Sequence, residues 1–210
     1  MRIGIIADIH EDVEALQQAI DLLRGEQADQ LLVLGDLFYA GQRVAETVDA
    51  LAAAGVDGVW GNHDLGLCHE PDPRLVARHP ARVFEILKTL GARLEIEDSL
   101  FSHGLPQWDP FDPAEYYLGD RLESATGLAG SFAASSRRVT FVGHFHRWLS
   151  ATPEGIIPWN GNEMITLDLE RRFLVVVGAV CDGWCASYET SIGLLIPHRI
   201  DGILRDSRVD

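Results

Sequence analysis

From Arg2 to Asp64 the chain repeats one pattern: a short, almost continuously apolar run that stops at a polar cluster. Arg2 to Ala7 reads as a buried strand and stops at Asp8-Ile9-His10. Leu31 to Leu34 reads as a second strand and stops at Gly35-Asp36. Val56 to Trp60 reads as a third and stops at Gly61-Asn62-His63-Asp64. Between them, Val13, Leu16, Ile20 and Leu23 recur at helical spacing after Glu11 and Asp12, with Gly25 as the stop. Val44, Val48 and Leu51 share one face of a second helix, which runs to Ala54 and ends at Gly55. The order β-α-β-α-β predicts a parallel sheet with covering helices. Runs this apolar suit strands buried on both faces. In such sheets ligands bind beyond the carboxyl ends of the strands, which is where the polar clusters fall.

The pattern continues less regularly. Leu75 to Leu90 is helical, interrupted near Pro80, and Arg93 to Glu97 alternates like a strand. Leu100-Phe101-Ser102 leads into His103-Gly104, and a loop with three prolines follows over 105–113. Ala114 to Ala134 is helical in part. Arg138 to Val142 is a strand ending in Gly143-His144-Phe145-His146. The tail predicts strands at Gly155–Pro158, Ile165–Leu169, Phe173–Val180 and Ala186–Pro197, forming a second, more antiparallel sheet packed on the first. The expected organisation is a single domain over residues 1–210.

Composition narrows the class. A hydrophobic content of 47% and a charged content of 23% are those of an ordinary globular protein. No apolar run has the roughly 20 residues needed to span a bilayer, and the start lacks a signal peptide's features. The expected location is therefore the cytoplasm, with no membrane partner. An odd cysteine count, Cys68, Cys181 and Cys185, argues for free thiols. The net charge of −15 and the lack of a Lys/Arg cluster argue against long nucleic acid. A phosphate-bearing substrate would need local cations, which bound metals can supply.

The polar strand ends supply Asp8, His10, Asp36, Asn62, His103, His144 and His146. Imidazole and carboxylate together suit Mn, Fe, Ni or Zn better than Ca or Mg. The set is larger than a structural zinc site uses. Asp8-x-His10 and His144-x-His146 each send alternate side chains of a strand end to one side. His63 is the side chain best suited to proton transfer near neutral pH.

These motifs, in this order, resemble the calcineurin-like metallophosphoesterase superfamily, and the short chain resembles its small bacterial and archaeal phosphodiesterase branch. The resemblance implies a β-sandwich of mixed sheets flanked by helices, an α/β fold with the metal site at the sheet ends. It implies two divalent metals, manganese first, with iron, nickel or zinc as alternatives. Asp8, His10, Asp36 and His146 would hold one, and Asp36, Asn62, His103 and His144 the other. It implies in-line attack by a metal-bridging hydroxide. His63 would contact the phosphate or protonate the leaving oxygen, with Asp64 behind it as an orienting partner.

Some positions depart from relatives. Gly35-Asp36 is followed by Leu37-Phe38-Tyr39-Ala40, not by the Asp-Arg pair of the phosphoprotein and dinucleoside-polyphosphate phosphatases, and Asp64 stands where those enzymes carry Glu. Val177-Gly178-Ala179-Val180 and Ala186-Ser187-Tyr188 keep the glycine and strand of the phosphodiesterase branch but not its Asn-Pro or arginine. The expected activity is a phosphodiesterase on a small phosphate ester, a nucleotide among the options. A phosphomonoesterase is the alternative, and a non-catalytic binding module the third reading. A monoester's extra charge calls for another cation, for which Arg43 and Arg147 are the candidates. Phe101, Trp108, Phe111, Tyr116 and Tyr117 are candidate pocket aromatics, with core packing as their plainer use, and Trp148 and Trp159 are read the same way. Homo-oligomerisation is left open.

Overall fold

The computed structural model describes residues 1–119 and 121–200. The single domain expected over 1–210 therefore extends at 201–210 beyond the described residues.

Two six-stranded mixed sheets face each other. The first has the order β3 (Asp57–Val59), β2 (Gln30–Leu34), β1 (Arg2–Ile6), β11 (Trp184–Glu189), β12 (Leu194–Arg199), β9 (Ile165–Thr166). The second has the order β4 (Arg93–Ile96), β5 (Ser99–Ser102), β6 (Val139–Val142), β10 (Phe173–Val176), β7 (Leu149–Thr152), β8 (Gly155–Ile157). β1, β2 and β3 are parallel, as the β-α-β-α-β order predicts.

The tail is placed differently from the expectation. It does not build the second sheet alone. β11 pairs antiparallel with β1, Ile3 opposite Tyr188, so β11, β12 and β9 complete the first sheet. The second sheet takes β5, β6 and β10 in parallel. The run Ala186–Pro197 is a hairpin, because Thr190 to Gly193 turn between β11 and β12, with Gly193 at φ 67°. β7 had no sequence signal; Leu149-Ser150-Ala151-Thr152 is short and mixed, and only its pairing with β10 makes it a strand.

Alternation along the strands divides the core. Ile3 and Ile5 of β1, Leu32 and Leu34 of β2, Phe101, Phe141 and Val175 fill the space between the sheets. Phe101 and Phe141 stack with centroids 5.2 Å apart. The other face of the first sheet, Ile6, Leu31 and Val33, is covered by α1 (Val13–Gly25), α2 (Val44–Ala54) and α5 (Ala81–Leu87). α3 (Leu65–Cys68) and α4 (Pro73–Val76) lie between α2 and α5 in the chain, and the break at Pro80 separates α4 from α5. The outer face of the second sheet, Val142, Leu149, Leu174 and Val176, packs on Leu105, Trp108, Tyr116 and Leu122 around α6 (Pro113–Leu118), with α7 (Ala125–Ala134) beside it. Each such fully buried aliphatic side chain contributes roughly 1.5–3 kcal/mol by transfer from water. Among the described residues no helix is long and apolar enough to cross a membrane.

Candidate metal centre

The parallel strands β1, β2 and β3 end at Asp8, Asp36 and Asn62, while β5 and β6 end at His103 and His144. The site therefore lies where one end of both sheets meets, not at the edge of one sheet. Backbone bonds stitch the ends together: the Asp8 amide donates to Gly35 O (3.0 Å), the His10 amide to Asp36 O (3.0 Å) and the Gly143 amide to His103 O (3.1 Å). Immediately after each strand the chain turns sharply. Asp8, His10, Asp36, His144 and His146 are five of the nine described non-glycine residues with positive φ. Asp and His tolerate this left-handed conformation better than most residues, and such strain collects at functional sites. Gly35, at φ 84°, makes room: a Cβ there would lie 2.6 Å from Gly61 N and 2.8 Å from His103 Nδ1.

Side chains from five chain segments converge. His103 Nε2 lies 3.2 Å from Asp36 Oδ2 and 3.0 Å from Asn62 Oδ1. Its Nδ1 faces Leu34 O at 2.7 Å, which sets Nε2 toward the cluster. His10 Nε2 and His146 Nε2 are 3.0 Å apart, and Asp8 Oδ1 is 3.6 Å from the latter. Ligand atoms of Asp36, His103 and His144 fall within 4.8 Å of one another, as do those of His10, Asp36 and His63, and those of His10, His146 and Cys181. The seven donors expected from the sequence are thus brought together. This mixed imidazole–carboxylate donor set fits divalent transition metals.

The charges fit as well. Burial opposes a charge on His103, but the Asp36 carboxylate outweighs it and pushes the imidazole up to about 9. Burial would raise Asp36; the charge of His103 and the hydrogen bond from it hold Asp36 well below the carboxylate range. Burial pushes Asp8 up to about 6, against the charges of His103 and His146. Burial, then the His103 charge, lowers His144 to about 4. Burial opposes a charge on His146 too, but hydrogen bonds to Asp182 and Cys181 and the charge of Asp8 push it up to about 11. Without metal, therefore, protons on His103 and His146 balance the buried carboxylates. A divalent ion could take over that role.

A family model of the calcineurin-like phosphoesterase superfamily domain matches residues 1–189. The chain belongs to this superfamily. A crystal structure of a metallophosphoesterase from Sphaerobacter thermophilus has a TM-score of 0.75 and 25% identity, over 96% of this chain and 88% of that one. An archaeal phosphodiesterase has the same fold, with a TM-score of 0.55 and 14% identity over 95% of this chain and 99% of that one. The protein MJ0912 of Methanocaldococcus jannaschii is 25% identical over 194 residues, 85% of this chain and 75% of its own.

In this phosphoesterase two expectations from the sequence change, and the candidate aromatics fall mostly to core packing. Asp64 does not hold His63. Its Oδ1 accepts from the amides of Leu37 (2.9 Å) and Phe38 (3.2 Å), and its Oδ2 from that of Gly61 (2.8 Å). It clamps the β2 end to the β3 end, and burial, then the Asp36 charge, push it up to about 7. Arg43 and Arg147 are not free cations either. Arg43 pairs with Glu14 (2.6 Å) and Glu46 (2.8 Å), and Arg147 pairs with Glu123. The candidate aromatics divide: Phe101, Trp108, Tyr116, Trp148 and Trp159 pack in or against the apolar clusters, whereas the hydroxyl of Tyr117 accepts from Asn62 Nδ2 at 3.2 Å. Phe111 is exposed, against His69 and Trp60.

Sequence reasoning missed Asp182 and Cys181. Asp182 Oδ2 is 3.1 Å from His146 Nδ1, and Cys181 Sγ is 3.8 Å from the same atom. All three cysteines are free, but Cys181 stands at the site. The only trace in the sequence was that both fall between Val177–Val180 and Ala186–Tyr188, the stretch that departs from the phosphodiesterase branch.

Proposed function

We propose that this phosphoesterase is a dinuclear metal-dependent phosphodiesterase. Asp8, His10, Asp36 and His146 would hold one divalent ion, and Asp36, Asn62, His103 and His144 the second, with Asp36 common to both. Bound there, the ions would acidify an attacking water and neutralise the phosphoryl oxygens.

The chain's own groups do the rest. The P–O bond to the leaving group breaks as the bond from the attacking oxygen forms, and the leaving oxygen needs a proton. His63 suits that donation. It is exposed, its ring lies 5.2 Å from that of His10, and its amide donates to Asp36 Oδ1 at 3.0 Å, so the backbone of a ligand loop sets its place. Asp8 and Asp36 are almost fully buried and would serve as ligands rather than as proton donors.

The observation that carries the diester preference is the state of Arg43 and Arg147, the two arginines singled out from the sequence. A monoester brings a second negative charge to the scissile phosphate. The two cations expected to meet it, Arg43 and Arg147, are spent on carboxylates. A diester needs no such extra cation.

The test is turnover by metal-stripped protein after Mn²⁺ is added back, on bis(4-nitrophenyl) phosphate and on 4-nitrophenyl phosphate. The diester should be turned over faster in kcat/KM. A preference for the monoester would overturn the diester assignment. Two bound metals without turnover of either ester would favour a binding module.

A further inference from the structure

A cavity of about 520 Å³ opens beside the ligand cluster, with His63 on its wall. Phe38, Tyr39, Leu67, Leu75, Arg78 and His79 are among the residues that line it with His63. Its chemistry is at odds with the rest of the molecule. The chain has 32 Asp and Glu residues against 17 Lys and Arg, yet no carboxylate lines this cavity. Three of its lining side chains, His63, Arg78 and His79, can carry positive charge. Arg78 has no ion-pair partner among the described residues, although its helical neighbours Arg74 and Arg82 pair with Asp72 and Asp49. The charge of Arg78 reaches Asp72, which Arg74 already pairs, so among the described residues no carboxylate is ion-paired to its guanidinium and it is open to an anion.

The wall is built in advance. Glu11 accepts from the amides of Ala40 and Arg43, both at 3.0 Å, and Asp64 accepts from those of Leu37 and Phe38. The loop that carries Tyr39 is thus tied at both ends to the metal-ligand loops. The Tyr39 ring stands 5.8 Å from both the His10 and the His63 rings and is itself largely exposed, a flat face for a ligand ring.

We propose that this cavity receives the leaving group of the substrate, and that the leaving group carries its own negative charge, held by Arg78. The inference rests on the phosphoesterase reading in one respect: a group that protonates the leaving oxygen must face the leaving group, and His63 faces this cavity. The substrate class is then a phosphodiester with a second anion, a carboxylate or a phosphate, on the departing alcohol.

Two matched esters test it: methyl 4-nitrophenyl phosphate and methyl 3-carboxy-4-nitrophenyl phosphate, which differ only by a charge on the leaving group. Despite the protein's acidity, the carboxylated ester should have a kcat/KM about tenfold higher, as expected for one charge-assisted hydrogen bond. In Arg78→Gln the ratio should fall to about one. An unchanged ratio in the variant, or no preference in the wild type, overturns the proposal. Calorimetric titration of metal-stripped protein with the freed phenols, 5-hydroxy-2-nitrobenzoate and 4-nitrophenol, needs no turnover. The anion should bind about tenfold more tightly, and Arg78→Gln should erase the difference. Equal affinities sink the cavity assignment. Selective anion binding through Arg78 with no ester turned over would leave that assignment standing while removing the phosphoesterase reading.

Discussion

Asp182 Oδ2 lies 3.1 Å from His146 Nδ1, while His146 Nε2 points to His10. A carboxylate on one ring nitrogen fixes the tautomer that leaves the other nitrogen free to ligate, and raises its basicity. Asp182→Ala should therefore weaken divalent metal binding about 10–100-fold. Competition with a chromophoric chelator reads the affinity, and an unchanged value would mean that Asp182 only decorates the rim.

Asp64 is expected to matter for folding rather than for chemistry alone. Asp64→Ala leaves three amide donors, those of Leu37, Phe38 and Gly61, without their acceptor in a buried place. Each unsatisfied buried group costs roughly 1–3 kcal/mol, so a loss on the order of 3 kcal/mol or more is expected in urea unfolding of the metal-free protein. A variant with an unshifted midpoint and reduced kcat would restore the orienting role toward His63.

His63→Ala should keep its metals and lose turnover by roughly 10²–10⁴-fold on esters with poor leaving groups. The loss should shrink as the leaving phenol becomes more acidic, because such groups depart without a proton. A plot of log kcat/KM against leaving-group pKa checks this. Parallel lines for wild type and variant would assign His63 to phosphate binding.

The metal-free protein should become less stable as pH rises above about 6.5. His103 goes from 6.5 to about 9 on folding, and His146 from 6.5 to about 11. Between those values the folded chain holds protons that the unfolded chain has released. Stability from these groups is thus fully present below 6.5 and is lost as pH rises through 9 and on toward 11. Metal ligation needs both imidazoles neutral, so binding at pH 7 should release about two protons and tighten with pH. Melting temperatures from pH 6.5 to 9.5, with and without Mn²⁺, test the first part. Calorimetry in buffers of different protonation enthalpy tests the second. A melting temperature independent of pH in the metal-free protein would mean that neither histidine is held charged.

Much of the site could be read from the chain because a metal donor in this fold is a local event. An apolar strand ends, the backbone turns left-handed, and an Asp, Asn or His stands at the turn. Asp8, Asp36 and His144 carry that whole signature within a few residues, Asn62 and His103 carry it without the left-handed turn, and the β-α-β-α-β order was enough to place Asp8, Asp36 and Asn62 side by side. The helices α1 and α2 were equally plain, since Asp12 caps α1 through Ala15 N and Gly55 ends α2 at φ 67°.

Contacts between distant segments were another matter. Which sheet a tail strand joins depends on pairing such as Ile3 with Tyr188, and neither run names its partner. His10 meets His146 across 136 residues, and His103 meets Leu34 across 69. Arg43 looked like a free cation until folding set Glu14 beside it, whereas Arg78 had no mark in the sequence and, among the described residues, stands on a cavity wall without an ion-pair partner. Asp64, next to His63 in the chain, turns instead to the amides of the neighbouring strand end. Donor identity and strand order follow from short-range propensity and burial. The choice of partner for a buried charge or an exposed arginine is made only when packing decides which groups are desolvated together.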